Sequence, residues 1–271
     1  MGAIEENETP GTSGQVASTS LAVIRTEKLT KRFSGITALD NVSIEVKGRS
    51  LTMIIGPNGS GKTTLINVVS GLLKPTAGKV YYKGIDITGM PPHKINKLGL
   101  VRTFQIPQPL TNLTVLENLL VAARWNPGES VSKAFFRRLW EKHEEKLVER
   151  AFEILKMLNL DRLWDEKASN LSGGQLKLLE IGRAVMNDAD TILMDEPIAG
   201  VNPRLAHEIL KTVRQLLSRA NLTFLIVEHR LDIALQYVDY VYAMARGRVI
   251  SQGNPQEVIN DPLVIESYLS G

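Results

Sequence analysis

Hydrophobic and polar positions first follow a period of two along the chain. Leu21–Leu29 and Val42–Val46 alternate apolar and polar side chains, which predicts half-buried antiparallel strands. Leu51–Ile55 is a largely apolar strand, and Val80–Tyr82 is a further candidate, an edge strand. Between them, Thr63–Leu73 has helical spacing. These segments predict strands that flank an early helix.

The middle of the chain, from Thr114 to about Leu160, changes to helical spacing. Val115–Ala123 predicts one helix, which the pair Pro127-Gly128 interrupts. A long, charged and amphipathic segment, Val131–Leu158, then predicts a second helical stretch. We therefore expect an all-helical insertion, at about residues 110–170.

After the insertion, strands and helices alternate again. The predicted strands are Thr191–Met194, Thr223–Val227, Val238–Met244 and Val249–Gln252; the predicted helices are Pro203–Leu217, Leu231–Gln236 and a C-terminal segment. This alternation predicts an α/β fold with a mostly parallel core sheet, in which a ligand binds at the carboxyl ends of the strands.

Composition narrows the class of protein. The 271 residues include no cysteine, which excludes disulfides and cysteine-bound metal. No apolar run approaches the roughly 18 residues of a membrane-spanning helix. The segment Met1–Ser20 is expected to be a disordered tail, and it has no apolar core of the kind found in signal peptides. The net charge of +3 is ordinary, and no basic-aromatic interleaving argues for nucleic acid as a partner.

One glycine-rich segment carries the strongest chemical signal. It matches G-x-x-x-x-G-K-[ST] and lies between an apolar strand and a helix, where backbone N–H groups can cradle phosphates. The segment is Gly56, Pro57, Asn58, Gly59, Ser60, Gly61, Lys62 and Thr63, followed by Thr64. Lys62 is expected to neutralise the β- and γ-phosphates of a nucleotide, and the Thr63 hydroxyl to bind Mg²⁺.

Two further segments complete the pattern. The strand Thr191–Met194 ends in Asp195, which suits the Mg²⁺ shell, and Glu196, which suits activation of a water molecule. Leu171–Gln175 has the sequence Leu-Ser-Gly-Gly-Gln and precedes a predicted helix, so it is a second candidate anion site. Each segment is weak evidence alone.

The three segments in this order resemble the ATP-binding cassettes (ABC), whose signature LSGGQ is present verbatim. The resemblance implies an ATPase that uses ATP and Mg²⁺ and works as a homo- or heterodimer with a second cassette subunit. The cassette covers residues 21–271 and includes an antiparallel β subdomain. In the family, the signature residues complete the ATP site of the opposite subunit; these are Ser172, Gly173, Gly174 and Gln175.

Three single residues take family roles by position. Phe33 corresponds to the aromatic that stacks on adenine, although a packed strand residue is the alternative. Gln105 corresponds to the glutamine that senses Mg²⁺ and water, and His229 to the switch histidine near the γ-phosphate. Asn202 stands where many cassettes carry Asp, which leaves the coupling between subunits open.

Further segments are similar to the ATPases of branched-chain amino-acid importers. They are Val101–Gln105, Leu113–Leu119, Glu196–Pro203 and Asp261–Leu269. This resemblance implies a peripheral protein at the cytoplasmic face of the membrane. It also implies two transmembrane permease subunits, an external substrate-binding protein and uptake of hydrophobic amino acids.

Alternatives remain open. ATPases of urea or short-amide importers and of a lipopolysaccharide exporter are closely similar to this group. A soluble cassette of DNA repair, chromosome maintenance or translation is a different class, which typically has long coiled coils or two cassettes per chain. A nucleotide-binding regulator without turnover is a third reading, against which Lys62, Gln105, Glu196 and His229 together argue.

Overall fold

Two sheets and a helical region make up the computed structural model, which describes residues 22–103, 108–124 and 141–269. The strands are β1 (Ala22–Phe33), β2 (Ile36–Val42), β3 (Glu45–Lys47), β4 (Leu51–Ile55), β5 (Ala77–Tyr82), β6 (Ile85–Asp86), β7 (Leu100–Arg102), β8 (Thr191–Asp195), β9 (Thr223–Val227), β10 (Tyr240–Ala245) and β11 (Arg248–Gly253). The α-helices are α1 (Lys62–Val69), α2 (Pro92–Lys97), α3 (Val115–Ala122), α4 (Glu141–Met157), α5 (Gly173–Met186), α6 (Pro203–Arg219), α7 (Leu231–Ala234), α8 (Pro255–Ile259) and α9 (Pro262–Leu269).

The core sheet has the strand order β11-β10-β4-β9-β8-β7. All its neighbours are parallel except the pair β10 and β11. Every residue of β4, β8 and β9 is buried, as expected for parallel strands that are covered on both faces. The mostly parallel α/β core predicted from the sequence is thereby confirmed, and its carboxyl edge presents the residues that follow β4, β8 and β9.

The second sheet is antiparallel and has the order β2-β1-β5-β6, with β3 also paired to β1. Its inner face packs with α1 in one apolar cluster, in which Ile24 and Val80 from the sheet join Leu65 and Ile66 from the helix. This packing fixes the start of α1 beside the core sheet.

The helices α3, α4 and α5 pack together. Gly182 in α5 has no side chain, so Leu158 and Leu119 can pack close to its backbone. A Cβ atom there would lie 2.6 Å from Leu158 Cδ1 and 3.1 Å from Leu119 Cδ2. Within the described part of the expected insertion, α3 and α4 are α-helices, and two short 3₁₀ turns follow at Asp161–Leu163 and Ala168–Asn170. The expected break at Pro127-Gly128, the first part of the expected helix from Val131, and the tail Met1–Ser20 lie outside the described residues.

Helix α1 is shorter than the sequence suggests. The expected helix Thr63–Leu73 ends at Val69, because Gly71 has φ 77° and turns the chain. A Cβ atom at Gly71 would lie 2.3 Å from Met90 O, so the turn is packed against a distant segment. Within the described ranges, no helix combines the length and apolar character that crossing a membrane requires.

Candidate active site

The glycine-rich loop Gly56–Thr63 connects β4 to α1 at the carboxyl edge of the core sheet. Gly56 has φ 146°, and a Cβ atom there would lie 2.1 Å from Met244 O. At Gly61, φ is 102° and a Cβ atom would lie 2.5 Å from Ala38 O. The loop therefore needs glycine at these two positions, for both conformation and space.

Helix α1 begins at Lys62 and has no side-chain cap, since Gly61 is its N-cap residue. Its first N–H groups and the positive end of its dipole thus point toward the loop. Lys62 Nζ donates to Gly56 O at 2.7 Å and to Pro57 O at 2.8 Å. Burial lowers the pKa of Lys62, against the attraction of Glu196 and Asp195.

Asp195 ends β8 and is 5% exposed. Burial raises its pKa, and the nearby Arg102 guanidinium opposes this change. Arg102 Nη2 lies 3.2 Å from Asp195 Oδ2, and Arg102 Nη1 donates to Asn67 Oδ1 in α1. The arginine therefore joins the ends of β7 and β8 to the helix that follows the glycine-rich loop.

Glu196 and His229 follow the neighbouring strands β8 and β9, and their side chains meet. Glu196 Oε1 lies 2.9 Å from His229 Nε2. Glu196 has φ 52°, an uncommon conformation for a residue other than glycine, and its N–H donates to Val227 O at 2.9 Å. This turn directs the carboxylate toward the histidine rather than along the strand.

The segment Leu171–Gln175 forms a reciprocal cap at the start of α5. Gln175 N donates to Ser172 Oγ at 3.4 Å, and Ser172 N donates to Gln175 Oε1 at 2.8 Å. Gly174 is buried, and a Cβ atom there would lie 2.2 Å from Leu205 Cδ2. Gly173 has open space around it, so the two glycines differ in their surroundings.

The structure brings some of the predicted residues together and leaves others apart. Lys62, Asp195, Glu196 and His229 are linked by hydrogen bonds or by electrostatic contact. Among the described residues, no hydrogen bond or ion pair joins Leu171–Gln175 to the glycine-rich loop.

The remaining predicted residues differ in position. Phe33, at the end of β1, is 40% exposed, and Lys31 Nζ lies 4.9 Å from its ring centroid. Thr63 is exposed and Thr64 half-buried in the first turn of α1. Gln105 lies outside the described residues.

Several neighbours of the site were not predicted from the sequence. Tyr268 Oη, in α9, accepts a hydrogen bond from Gly56 N at 2.8 Å. Lys177 Nζ donates to Ala199 O at 2.6 Å, in the loop after Glu196. Glu228, directly before His229, is 1% exposed. The sequence did offer a clue to Glu228, which is an acidic residue between an apolar strand and the candidate histidine. No local pattern predicts the contact of Tyr268 with Gly56.

Comparisons with known proteins identify the family. The family model described as ABC transporter matches residues 39–199. The probable branched-chain amino acid transport ATP-binding protein LivG of Archaeoglobus fulgidus is 54% identical over 249 residues, which cover 92% of this chain and 96% of that protein. The high-affinity branched-chain amino acid transport ATP-binding protein BraF of Pseudomonas aeruginosa is 33% identical, with 92% and 98% covered.

Solved structures give the same result. A crystal structure of the ADP conformation of an ATP-binding cassette of an ABC transporter superposes with a TM-score of 0.81 at 50% identity. The match covers 93% of this chain and 100% of that chain. A nucleotide-free cassette from an ABC transporter superposes with a TM-score of 0.79, also at 50% identity. This chain therefore belongs to the ABC transporter family, among its ATP-binding subunits.

Proposed function

We propose that this chain binds and hydrolyses ATP to drive an importer of branched-chain or other hydrophobic amino acids. The observation that carries the ATPase proposal is the contact between Glu196 Oε1 and His229 Nε2, 2.9 Å apart, at the strand edge that also holds Lys62. The substrate class rests on the names of the relatives, which are branched-chain amino acid transport proteins.

The nucleotide phosphates would bind in the loop Gly56–Thr63. The positive end of α1 and the Lys62 ammonium group both lie there, and both favour an anion. Phosphate oxygens would replace the carbonyl groups of Gly56 and Pro57 as acceptors for Lys62. The exposed Phe33 ring would stack on adenine, and Ser172 to Gln175 would face the nucleotide of a second subunit.

The residues present fit a magnesium ion. Asp195 offers a carboxylate and Thr63 a hydroxyl group, which are the oxygen ligands that Mg²⁺ prefers. In the described ranges, no group of three or more acidic, histidine or cysteine residues could hold a metal ion by itself. Mg²⁺ commonly keeps waters and phosphate oxygens as ligands, so Asp195 and Thr63 need not complete its coordination by themselves. When bound, the ion would neutralise charge on the phosphates, and Gln105 is the further candidate ligand.

Hydrolysis would use Glu196 as the group that orients the attacking water and accepts its proton. His229 would hold the Glu196 carboxylate by the observed contact and lie near the γ-phosphate. Lys62 would stabilise the charge that develops on the transferred phosphoryl group. Each chain would supply one loop and one signature segment, so that two subunits enclose each ATP.

A groove of about 820 Å³ beside the active site is the candidate contact with a permease subunit. Its lining includes Leu72, Pro92, Ala123 and Arg124, together with Arg102, which also contacts Asp195. A partner in this groove would therefore touch a residue of the active site. The transport names of the relatives support a further proposal: the protein lies at the cytoplasmic face of the membrane and binds two permease subunits, which an external binding protein serves.

Glu196→Gln tests the catalytic assignment. The variant should bind ATP, form a stable dimer by size-exclusion chromatography, and lose at least about 100-fold in kcat, the usual contribution of a general base. Glu153→Gln, at an exposed position of α4, is the matched control and should keep the wild-type rate. Hydrolysis near the wild-type rate in Glu196→Gln would refute this role.

The transport proposal needs a separate test. The tagged chain, purified from its own membranes in mild detergent, should bring two polytopic membrane proteins and a second cassette ATPase. Reconstituted with the external binding protein, this complex should take up radiolabelled leucine in an ATP-dependent manner. ATP-dependent uptake of urea instead would refute the substrate class, and recovery with ribosomal or nucleic-acid partners would refute the transporter function.

A further inference from the structure

Glu228 is a buried carboxylate whose hydrogen bonds all lead to the backbone of the two loops that carry Glu196 and His229. Its Oε1 accepts from Ile198 N at 2.8 Å. Its Oε2 accepts from His229 N at 3.0 Å and from Arg230 N at 3.3 Å. The side chain is 1% exposed, so these N–H groups have no bulk water to replace it.

The position of Glu228 matters because the sheet no longer holds these loops. The pairing of β8 with β9 ends at Asp195 and Val227. Beyond that point, a backbone hydrogen bond from Glu196 N to Val227 O and the contact between Glu196 and His229 join the two loops. Glu228 adds a further, buried connection between the two loops.

Other side chains hold the same loop from outside. Lys177 Nζ donates to Ala199 O at 2.6 Å and to Glu196 O at 3.3 Å. Arg230 Nη1 donates to Val201 O at 3.0 Å. Burial lowers the pKa of Lys177, and among the carboxylates that oppose this change Glu228 is the strongest. Burial raises the pKa of Glu228 itself, and the hydrogen bonds from the N–H groups of Ile198, His229 and Arg230 oppose this change.

We propose that Glu228 is a positioning residue for ATP hydrolysis. It holds Glu196 and His229 in the arrangement from which Glu196 can orient the attacking water. This inference rests on the proposed function and extends it to a residue that does not touch the nucleotide. A misplacement of about 1 Å of a catalytic group can cost about 100-fold in rate, so a residue that fixes two such groups has a large effect on kcat.

Two substitutions separate geometry from charge. Glu228→Gln keeps the size of the side chain, but its NH₂ group must face a backbone N–H on one loop or the other. Glu228→Asp keeps the charge, but it is one methylene shorter and cannot reach Ile198 and His229 together. A positioning role predicts loss in both variants, whereas a role of the charge alone predicts that Glu228→Asp is active.

The experiment is steady-state ATP hydrolysis by the full-length chain, alone and with its copurified membrane subunits. In both variants we expect kcat to fall at least about tenfold. The KM for ATP and the Kd for a fluorescent ADP should stay within about twofold, because the loop that binds phosphate is untouched. Glu149→Gln, at an exposed position of α4, is the matched control and should behave as the wild type.

A double-mutant cycle tests whether Glu228 acts through its neighbour. In the His229→Ala background, Glu228→Gln should lower kcat by less than about threefold, since one of the groups that it positions is already absent. The full loss in that background would overturn the proposal. Glu228→Asp at the wild-type kcat, or equal effects on kcat and on ADP affinity, would overturn it as well.

Hydrogen exchange in the wild type keeps the proposal testable if the variants do not fold. The amides of Ile198, His229 and Arg230 should exchange at least about 100-fold more slowly than unprotected amides, because Glu228 accepts from all three. Fast exchange at these amides would overturn the proposal. A wild-type chain that folds and binds ADP but never hydrolyses ATP would refute the proposed function instead, and the positioning role with it.

Discussion

Gly174→Ala should destabilise the fold, whereas Gly173→Ala should not. Both glycines lie in the first turn of α5, within the signature segment. A Cβ atom at Gly174 would lie 2.2 Å from Leu205 Cδ2 and 2.7 Å from Leu205 Cγ, whereas at Gly173 it would meet no atom within 4 Å. The smallness of Gly174 thus has a reason within a single chain, in the packing of α5 on α6.

The magnitude follows from two opposing terms. Overpacking of this kind costs about 1–3 kcal/mol, and Leu205 can turn away only in part. Replacing glycine by alanine in a helix gains up to about 1 kcal/mol, and less near the helix start. We therefore expect Gly174→Ala to lower the free energy of unfolding by about 1–2 kcal/mol, and Gly173→Ala to raise it by about 0.5 kcal/mol.

Urea unfolding followed by circular dichroism measures both variants against the wild type. Leu205→Ala tests this mechanism. It should lower the free energy of unfolding by less in the Gly174→Ala background than in the wild type, because removing the branched side chain also relieves the clash. Equal stability of Gly173→Ala and Gly174→Ala would refute the packing argument. So would strict additivity of Gly174→Ala and Leu205→Ala.

Other contacts give further predictions. Arg102→Met leaves the buried Asp195 without its ion pair, so the free energy of unfolding should fall by about 3 kcal/mol at pH 8. Burial already raises the folded-state pKa of Asp195, and the loss of Arg102 raises it further. A raised carboxylate pKa destabilises the fold as pH rises through it, so the deficit should be smaller at pH 5; equal deficits by urea unfolding would contradict this. Tyr268→Phe removes the acceptor of Gly56 N and should cost about 1 kcal/mol, seen as a lower Tm; an unchanged Tm would argue against the contact. Asn202→Ala should also cost about 1 kcal/mol in urea, because Asn202 Oδ1 caps α6, whereas Asn202→Asp should keep wild-type stability; equal losses would rule out capping.

Elements that are buried on every side were predictable from the sequence. Leu51–Ile55 and Thr223–Val227 have the bounds that their apolar runs indicate. Elements that end through tertiary contact were not predictable. The first helix ends early because Gly71 packs on Met90, and β1 continues to Phe33, past the expected end at Leu29, through pairing with β2. Met90 lies far from Gly71 in the chain, whereas Ile36, the partner of Phe33, lies in an adjacent hairpin strand that the alternation of apolar and polar residues did not reveal.

The site divides along the same line. Motif spacing places Asp195 and Glu196 at a strand end, and the structure has them there. The catalytic and binding roles of these residues stay predictions. Motif spacing does not reveal that Gly174 is fixed by Leu205, or that Tyr268 bonds to Gly56, because each contact joins residues that are remote in the chain. Such contacts decide which substitutions the fold accepts.

The charges at the strand edge bear on how nucleotide and metal would bind together. Asp195 pairs with the Arg102 guanidinium, so this buried acid already has a cation from another strand. Within the glycine-rich loop Gly56–Thr63, the cation that faces a polyphosphate is Lys62, and the start of α1 adds the positive end of its dipole. One lysine offsets a minor part of the charge of ATP, and a divalent ion beside Asp195 would offset much of the rest. The affinity for ATP should therefore depend strongly on Mg²⁺. Arg102→Met removes the positive charge that pairs with the Asp195 carboxylate, so this variant should bind Mn²⁺ more tightly in the presence of ADP.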